Sequence, residues 1–552
     1  MQKILQSNPL SRILKTRWLI LLLLFLIGFS SVSSYGMPWD ENFEQDIVRA
    51  NIKEYVLRLC PPDSALFQTY LDTGTTRISE NIERDHGVAV LYPTIFAIMH
   101  TESDALRSIL WHGYIYLVYF AGVIAVFFIG KQLFSSDRWG LFTALVYFLT
   151  PRIFADGHYN NKDIVLLSML LCSIAMFLSL IVRYSTGWLI GTAFCAALMC
   201  NTRVVGIALF GMIALFYLVA MILEHTSLRD LLKRTVGGLG WTGFFYVLLT
   251  PAMWGRPAKI IAYFRYLTSN AVGFTRWDEN ILFDGAIYRF GAGNPLPVYY
   301  LPKMILITLP PYVLLAFGVG VICVLLTTFS KKPFGGWRLA ALYLLFFLCI
   351  VPILSQMHMQ PLIYNGWRHF YFLYGAMAIL AVYAFYYLYT MGKHIFVRRL
   401  VLVSAVLCLT VTGIGMLANP TLGFGYYNFL AGREAEQNYE FDYWNVSARN
   451  ALERLSATEA VRDASEVTIA TCEKWSSDGV RKNLLYLGQP DKYHYTEDWM
   501  NADYVMINRM YAELEARTGD FAQTWQYIRD HYDNILTVSS YGREMYIVYM
   551  RR

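Results

Sequence analysis

Two adjacent carboxylates, Asp40 and Glu41, follow the first long apolar run of this 552-residue chain. That run extends from Trp18 to Tyr35, and Met37, Pro38 and Trp39 lead into the acids. A carboxylate near lipid headgroups is partly desolvated, which raises its pKa. It can then take a proton from a hydroxyl or amine as that group attacks. The same pair also suits a helix start, where Asp caps the chain and acids face the positive end of the helix dipole. A third acid, Asp163, closes the polar link 151–163 and opens another apolar run. It is either an N-cap or a second acid facing Asp40. Arg152, Asp156 and His158 lie in the same link. Asp156 and His158 have metal-ligand chemistry but not the spacing of a metal motif.

Cations stand at comparable places. Lys162 precedes one apolar run, Arg203 a second, and the pair Arg368 and His369 a third. A helix N-terminus carries partial positive charge and free N–H groups, and so attracts phosphate. Cations at three such ends on one membrane face would form an anion pocket. The alternative is that each long side chain only snorkels to the headgroups. Arg368 sits among Tyr364, Asn365, Trp367, Phe370 and Tyr371, a segment dense in aromatic and hydrogen-bonding groups. Arg276, Trp277 and Arg289 are further candidates in a later loop.

The elements that must position these residues are membrane spans. The chain is 56% hydrophobic and 16% charged, against about 25% charged in soluble domains. The apolar residues come in runs of about twenty, the length that crosses a bilayer. We expect eleven spans: 18–35, 109–130, 139–150, 163–183, 187–200, 204–223, 235–254, 303–328, 338–356, 370–392 and 400–418. The first run is long and lacks a small-x-small cleavage pattern, so it is expected to stay as an anchor. Lys3, Arg12, Lys15 and Arg17 precede it, which places the N-terminus in the cytoplasm. The alternation then assigns to the cytoplasm the links holding Lys131 and Arg138, Arg183, Arg229 to Arg234, Lys331 to Arg338, and Lys393 to Arg399. All are basic, as the positive-inside rule requires.

A membrane domain of 1–418 is therefore expected, with external loops 36–108 and 255–302. An extracytoplasmic domain of 419–552 follows. In the first loop, 41–59 has amphipathic spacing and 88–99 is apolar enough to lie in the interface. In the tail, the runs 467–471, 504–507 and 545–549 read as strands, and 446–455 and 524–531 as helices, giving an α/β domain. Net charge is +6, with no Lys/Arg tract of the nucleic-acid kind. Of eight cysteines, Cys60 and Cys472 lie outside the spans and are free to pair in an oxidising compartment. The sequon Asn445-Val-Ser447 is of a kind common by chance.

These segments, in this order, resemble the dolichyl-phosphate-mannose–protein mannosyltransferases, a glycosyltransferase family 39-like group within the membrane glycosyltransferases of the C-type fold. The lipid A aminoarabinose transferases are further relatives. The resemblance rests on Asp40-Glu41 after one span, Glu83-Arg-Asp-His-Gly87, Thr150-Pro-Arg-Ile-Phe through Asn161-Lys-Asp163, Leu301-Pro-Lys through Pro311, and Asn365-Gly-Trp-Arg-His-Phe-Tyr-Phe372. It implies an inverting transfer of a sugar from a polyprenyl-phosphate donor to an acceptor hydroxyl or amine, on protein or on a cell-envelope glycan or lipid. It also implies a multi-pass inner-membrane location with the tail periplasmic. Asp40 matches the first-loop acid and base, with Glu41 in support, and Asp163 matches the second acid. Some relatives bind a divalent cation near their acids, which leaves a metal open. Nothing in such a reaction needs a nucleotide site. The competing class is a transporter or lipid flippase, in which charges gather near mid-bilayer on broken helices of repeated halves. Here they gather at span ends, and no repeat is visible.

Overall fold

The structure is a computed structural model, and it describes residues 9–272, 278–330, 332–519 and 521–552. The first helix, α1 (Pro9–Ser30), leads through a 3-10 turn to α2 (Glu41–Leu59) and α3 (Ala65–Asp72). The segment 88–99, expected to lie in the interface, is an apolar helical stretch that starts as a 3-10 segment, Ala89–Thr94, and continues as a short α4 (Ile95–His100). Pro93 lies inside that 3-10 segment. It has no N–H to give to a helical ladder. The bundle proper is α5 (Asp104–Phe134), α6 (Asp137–Phe148), α7 (Pro151–Asp156), α8 (Asp163–Val182), α9 (Thr186–Thr202), α10 (Val205–Leu223) and α11 (Leu228–Leu249), with α12 (Pro257–Val272) beyond it. After a small hairpin, β1 (Ile281–Phe283) and β2 (Ala286–Tyr288), come α13 (Tyr300–Thr308), α14 (Pro311–Ser330), α15 (Gly336–Met359), α16 (Phe372–Met391) and α17 (Ile395–Ala418).

All eleven expected spans fall on helices. Among the described residues, eight helices are long and apolar enough to cross a bilayer. The exceptions are α6, α9 and α11. The first two are short, and α11 begins with Arg229, Asp230, Lys233 and Arg234 inside its helix. The expected span 303–328 is two helices, because Pro310 and Pro311 interrupt the ladder between α13 and α14. Serines start several of these helices. The hydroxyls of Ser103, Ser136, Ser185 and Ser227 each accept a backbone N–H of the first turn, which satisfies a donor that the helix itself leaves open.

Helix α16 is the axis of the bundle. It is buried continuously from Phe372 to Ala384 and packs on α14, α15, α8 and α6. Helix α17, by contrast, exposes Leu402, Val403, Val406, Leu407, Val411 and Ile414, the apolar surface that lipid requires. The protein is thus a polytopic helical membrane protein. Its links sort to two ends. At one, Trp337 N–H donates to Glu224 and Arg338 to Ser135. At the other, Arg449 of the tail donates to Tyr35 O, and Met37 N–H donates to Asn483.

The tail has α18 (Ala435–Asn438), α19 (Ala448–Ser456), α20 (Glu459–Asp463), α21 (Ser477–Leu484), α22 (Arg509–Thr518) and α23 (Ala522–His531). Its strands are β3 (Val467–Ala470), β4 (Tyr493–Tyr495), β5 (Tyr504–Asn508), β6 (Tyr532–Ser540) and β7 (Arg543–Arg551), in the order β4-β3-β5-β7-β6. Strand β3 runs parallel to β4 and β5, and β7 antiparallel to β5 and β6. The three expected strands and two expected helices are present, and β4 and β6 add to them. Cys60 and Cys472 are both free.

Close backbone approach fixes the loop at Gly87. A Cβ on Gly87 would lie 1.4 Å from the carbonyl oxygen of Asn201, so only glycine lets this loop meet the end of α9. Overpacking of this kind costs about 1–3 kcal/mol. We expect Gly87→Ala to lower the thermal midpoint of the detergent-solubilised protein. Gly74→Ala, which meets nothing within 4 Å, should leave it where it is.

Candidate active site

Asp40 stands at the N-cap of α2, and its side chain makes no capping bond. Its Oδ2 accepts the indole N–H of Trp444 at 3.1 Å. One helical turn on, Glu44 shares the face of Asp40, as the spacing i,i+4 requires. Glu44 is buried and pairs with the Lys162 ammonium, and it accepts from Asn161 Nδ2 at 3.3 Å. His86 Nδ1 lies 4.0 Å from Glu44, and Nε2 of the same ring 3.0 Å from Glu83. Burial and the neighbouring Glu44 charge raise the Asp40 pKa, while Lys162, Arg368 and the Trp444 N–H hold it down. Burial acts on Glu44 in the same direction, but Lys162 and His86 outweigh it and its pKa falls below the ordinary value.

Glu41 turns elsewhere. Adjacent helical residues point about 100° apart, and the buried Glu41 carboxylate meets His112 Nε2 at 2.7 Å and Gln45 Nε2 at 3.1 Å. It fastens α2 to α5.

Asp163, 2% exposed, opens α8, where its N–H donates to Asn160 Oδ1 at 2.9 Å. Its two oxygens face two guanidinium groups. Arg203 Nη2 lies 2.7 Å from Oδ1, and Arg368 Nη1 lies 3.4 Å from Oδ2. Arg203 is the C-cap of α9 and sits at the turn into α10. Arg368 lies in the 3-10 turn Arg368–Phe370 that leads into α16. Its guanidinium stacks among Trp444, Tyr364 and Tyr443, 4.6, 4.8 and 5.4 Å from their ring centres, and such cation–π contacts attract most when desolvated. The Nε atoms of Arg203 and Arg368 are buried without a hydrogen-bond partner. Burial, with Arg368, Arg203 and Lys162 nearby, drives the His369 pKa well below its usual value.

One cluster therefore gathers Asp40, Lys162, Asp163, Arg203, Arg368 and His369. Glu44 and Trp444 were not among the expected site residues, and His86 stood only within the motif Glu83–Gly87. The i,i+4 spacing from Asp40 was the available signal for Glu44, whereas Trp444, some four hundred residues away, was marked only by Asp442-Tyr-Trp444, a segment that resembles the family's link from the last span to the external domain. Asp156 and Arg152 are buried beside each other, where Tyr159 donates to Asp156 and Arg152 donates to Tyr426 O. His158 is enclosed between the rings of Tyr35 and Tyr116, and its nitrogens reach Phe154 O and Gly28 O. Its contacts are those of packing. Arg289 pairs with Asp278, and Arg276 and Trp277 lie outside the described residues. Asn445, fully buried, cannot carry a glycan in this fold. Among the described residues, no three His, Cys, Asp or Glu side chains stand together as a metal set.

The fold and the cluster define a membrane protein with an acid–cation site at the helix ends that carry the tail. Residues 90–254 match the family model described as dolichyl-phosphate-mannose-protein mannosyltransferase, and the resemblance read from the motifs is borne out over that segment. It contains Lys162, Asp163 and Arg203. No curated protein matches the chain. Among solved structures, ArnT from Cupriavidus metallidurans in the apo state is similar at 13% identity, with 97% of this chain and 98% of that chain covered and a TM-score of 0.46. The same protein bound to undecaprenyl phosphate is similar at 13% identity, with 96% and 98% covered and a TM-score of 0.44.

Glu44 and Lys162 give a test with a definite sign. The depressed Glu44 pKa means stability that is present above the unfolded value and lost as pH falls through the folded one. Removing one partner of a fully buried pair costs about 3–5 kcal/mol, and partial exposure of Lys162 brings this nearer about 2. Lys162→Met should therefore melt lower than wild type at pH 7.5. The gap should narrow on acidification toward pH ~4.5, where Glu44 can neutralise itself. Thermal scans of both proteins across that range measure it.

Proposed function

We propose that this protein is an inverting glycosyltransferase of the C-type fold that takes its sugar from a polyprenyl-phosphate donor at the periplasmic face of the inner membrane. The observation that carries the reading is the assembly of Asp40, Lys162, Arg203 and Arg368 at one end of the bundle, half of it inside the segment that matches the mannosyltransferase family. The basic links gather at the other end, which favours a cytoplasmic N-terminus and an external tail.

In this reading the donor's phosphate meets the cations and its lipid lies along the spans. Asp40, half-buried and with a raised pKa, takes the proton from the acceptor hydroxyl or amine. The acceptor forms its bond to the anomeric carbon as the bond from that carbon to the phosphate oxygen breaks. The electron pair leaves with polyprenyl phosphate, and configuration inverts. Arg203 and Lys162, each partly exposed, and the unfilled Nε donors of Arg203 and Arg368 are placed to take up the charge that develops. Asp163, with both oxygens turned to guanidinium groups, aligns those arginines. Charge collected at helix ends favours this chemistry over transport, where charged groups sit at mid-bilayer.

A panel of polyprenyl-phosphate sugars with the purified protein tests the reading. Wild type should release polyprenyl phosphate. Asp40→Asn should lose at least about 10²-fold in turnover, the scale of a missing general base, while remaining folded and still binding the donor. Turnover by Asp40→Asn at the wild-type rate removes the base assignment. No binding of any panel member overturns the donor class.

A further inference from the structure

The chain from 439 to 447 leaves the tail, enters the candidate site and returns. Inside the site, Glu440 accepts the N–H of Asn365 at 2.7 Å, which anchors the turn ahead of Arg368. Trp444 lies against the Arg368 guanidinium and donates to Asp40. Behind the site, the same segment is tied to the sheet. Asn445 Oδ1 accepts from Asn508 Nδ2 at 2.7 Å and from the Tyr546 hydroxyl at 2.9 Å, and Asn508 Nδ2 also reaches Asp442 O at 3.1 Å. The Tyr511 hydroxyl donates to Tyr443 O at 2.6 Å. Asn508 ends β5 and Tyr546 belongs to β7. Asn445 has φ +56°, a left-handed conformation that its side-chain bonds hold in place. On the other side of Asp40, Lys482 of α21 donates to Trp39 O, and Asn483 brackets Met37 N–H and O at 2.9 and 3.1 Å.

We propose that Trp444 is a positioning residue for Asp40, and that the C-terminal sheet places it there through Asn445 and Asn508. The tail is then part of the catalytic apparatus, because it sets the direction and the ionisation of the acid at the start of α2. An N–H that points at a carboxylate favours the ionised form. Without it, Asp40 stays protonated to higher pH. The consequence for turnover rests on the function proposed above; the consequence for Asp40 itself does not.

The test reads Asp40 first without any substrate. Dicyclohexylcarbodiimide adds to a protonated carboxyl, and its attachment to Asp40 is followed against pH by mass spectrometry of the full-length protein in detergent. Trp444→Phe, which keeps an aromatic ring beside Arg368, should raise the labelling midpoint by about 0.5–1 pH unit, the scale of one hydrogen bond to a carboxylate. Asn508→Ala, remote from the cluster, should shift it in the same direction by less. With a turning-over donor, the acid limb of the pH–kcat profile should move by the same amount, with donor KM within about twofold. Unchanged midpoints in both variants overturn the proposal. A fall in active fraction at every pH with the limb unmoved also overturns it, since that is a purely structural effect. Shifted midpoints in a protein that turns over no donor leave this inference standing and sink the proposed function instead. Should Trp444→Phe fail to fold, the indole N–H resonances of ¹⁵N-tryptophan-labelled wild type decide. One signal must titrate with Asp40 and become static in Asp40→Asn, and the absence of such a signal overturns the proposal.

Discussion

The structure depends on a carboxylate with nowhere to go. Asp163 is 2% exposed, and a buried carboxylate is costly unless it is paired and hydrogen-bonded. Its partners come from separate parts of the chain. Asn160 holds it at the start of α8, Arg203 arrives from the junction of α9 and α10, and Arg368 from the turn ahead of α16. Each pairing fixes the register of one helix end against another. Moving any of the three helices along its axis would leave a buried charge uncompensated. The apolar helix faces in this bundle are interchangeable by comparison, since packing between them in lipid has little direction of its own. The charge clamp supplies direction.

Aromatic rings carry that constraint outward. Arg368 meets Asp163 through Nη1, and its Nε finds no hydrogen-bond partner. The remaining guanidinium surface is covered by Tyr364, Tyr443 and Trp444, two of which belong to the tail segment. The tail in turn grips the first loop through Asn483 and Lys482. Membrane helices and sheet share one hydrophobic core, which includes Tyr35 and Leu91 as well as Tyr443, Leu452 and Tyr546. The sheet is thereby an outer wall of the site.

What the sequence disclosed follows from the range of the interactions concerned. Spans are local, twenty residues at a time, and each expected span fell on a helix. Prolines 310 and 311 split one of them, and the charged start of α11 makes another a poor membrane segment, both for reasons visible in the residues themselves. Charges at span ends were equally legible, because ends of helices running in one direction must share a face. Asp40, Lys162, Asp163, Arg203 and Arg368 duly converge. The mutual arrangement was not legible. Glu41 and Glu44 differ only in position on one helical turn, yet one faces His112 and the other Lys162. His158 has the residue type of a ligand and the surroundings of a core residue. Trp444 depends on Asn508 of β5 and Tyr546 of β7, both far along the chain, and no local pattern encodes such a contact.

The pairing also shapes what the site can accept. Lys162, Arg203 and Arg368 face Glu44 and Asp163 in the absence of any ligand. Unpaired, three cations at such depth would be unstable, and the acids keep them folded in place. An incoming anion then has two routes. It can use donors that the acids leave unfilled, such as the two Nε atoms, or it can displace a carboxylate, which must then be protonated or moved to water. Displacing Asp163 is the harder of these, because it is buried and holds three elements together. Glu44 is also buried but pairs with a lysine whose long, partly exposed chain can swing. Lys162 is therefore the cation most able to follow a ligand, while Arg203 and Arg368 form the fixed part of the site. Under the function proposed above, a mobile ammonium beside a rigid pair of guanidinium groups would let one arrangement hold the charge of a bound phosphodiester and then the greater charge of the phosphate that leaves.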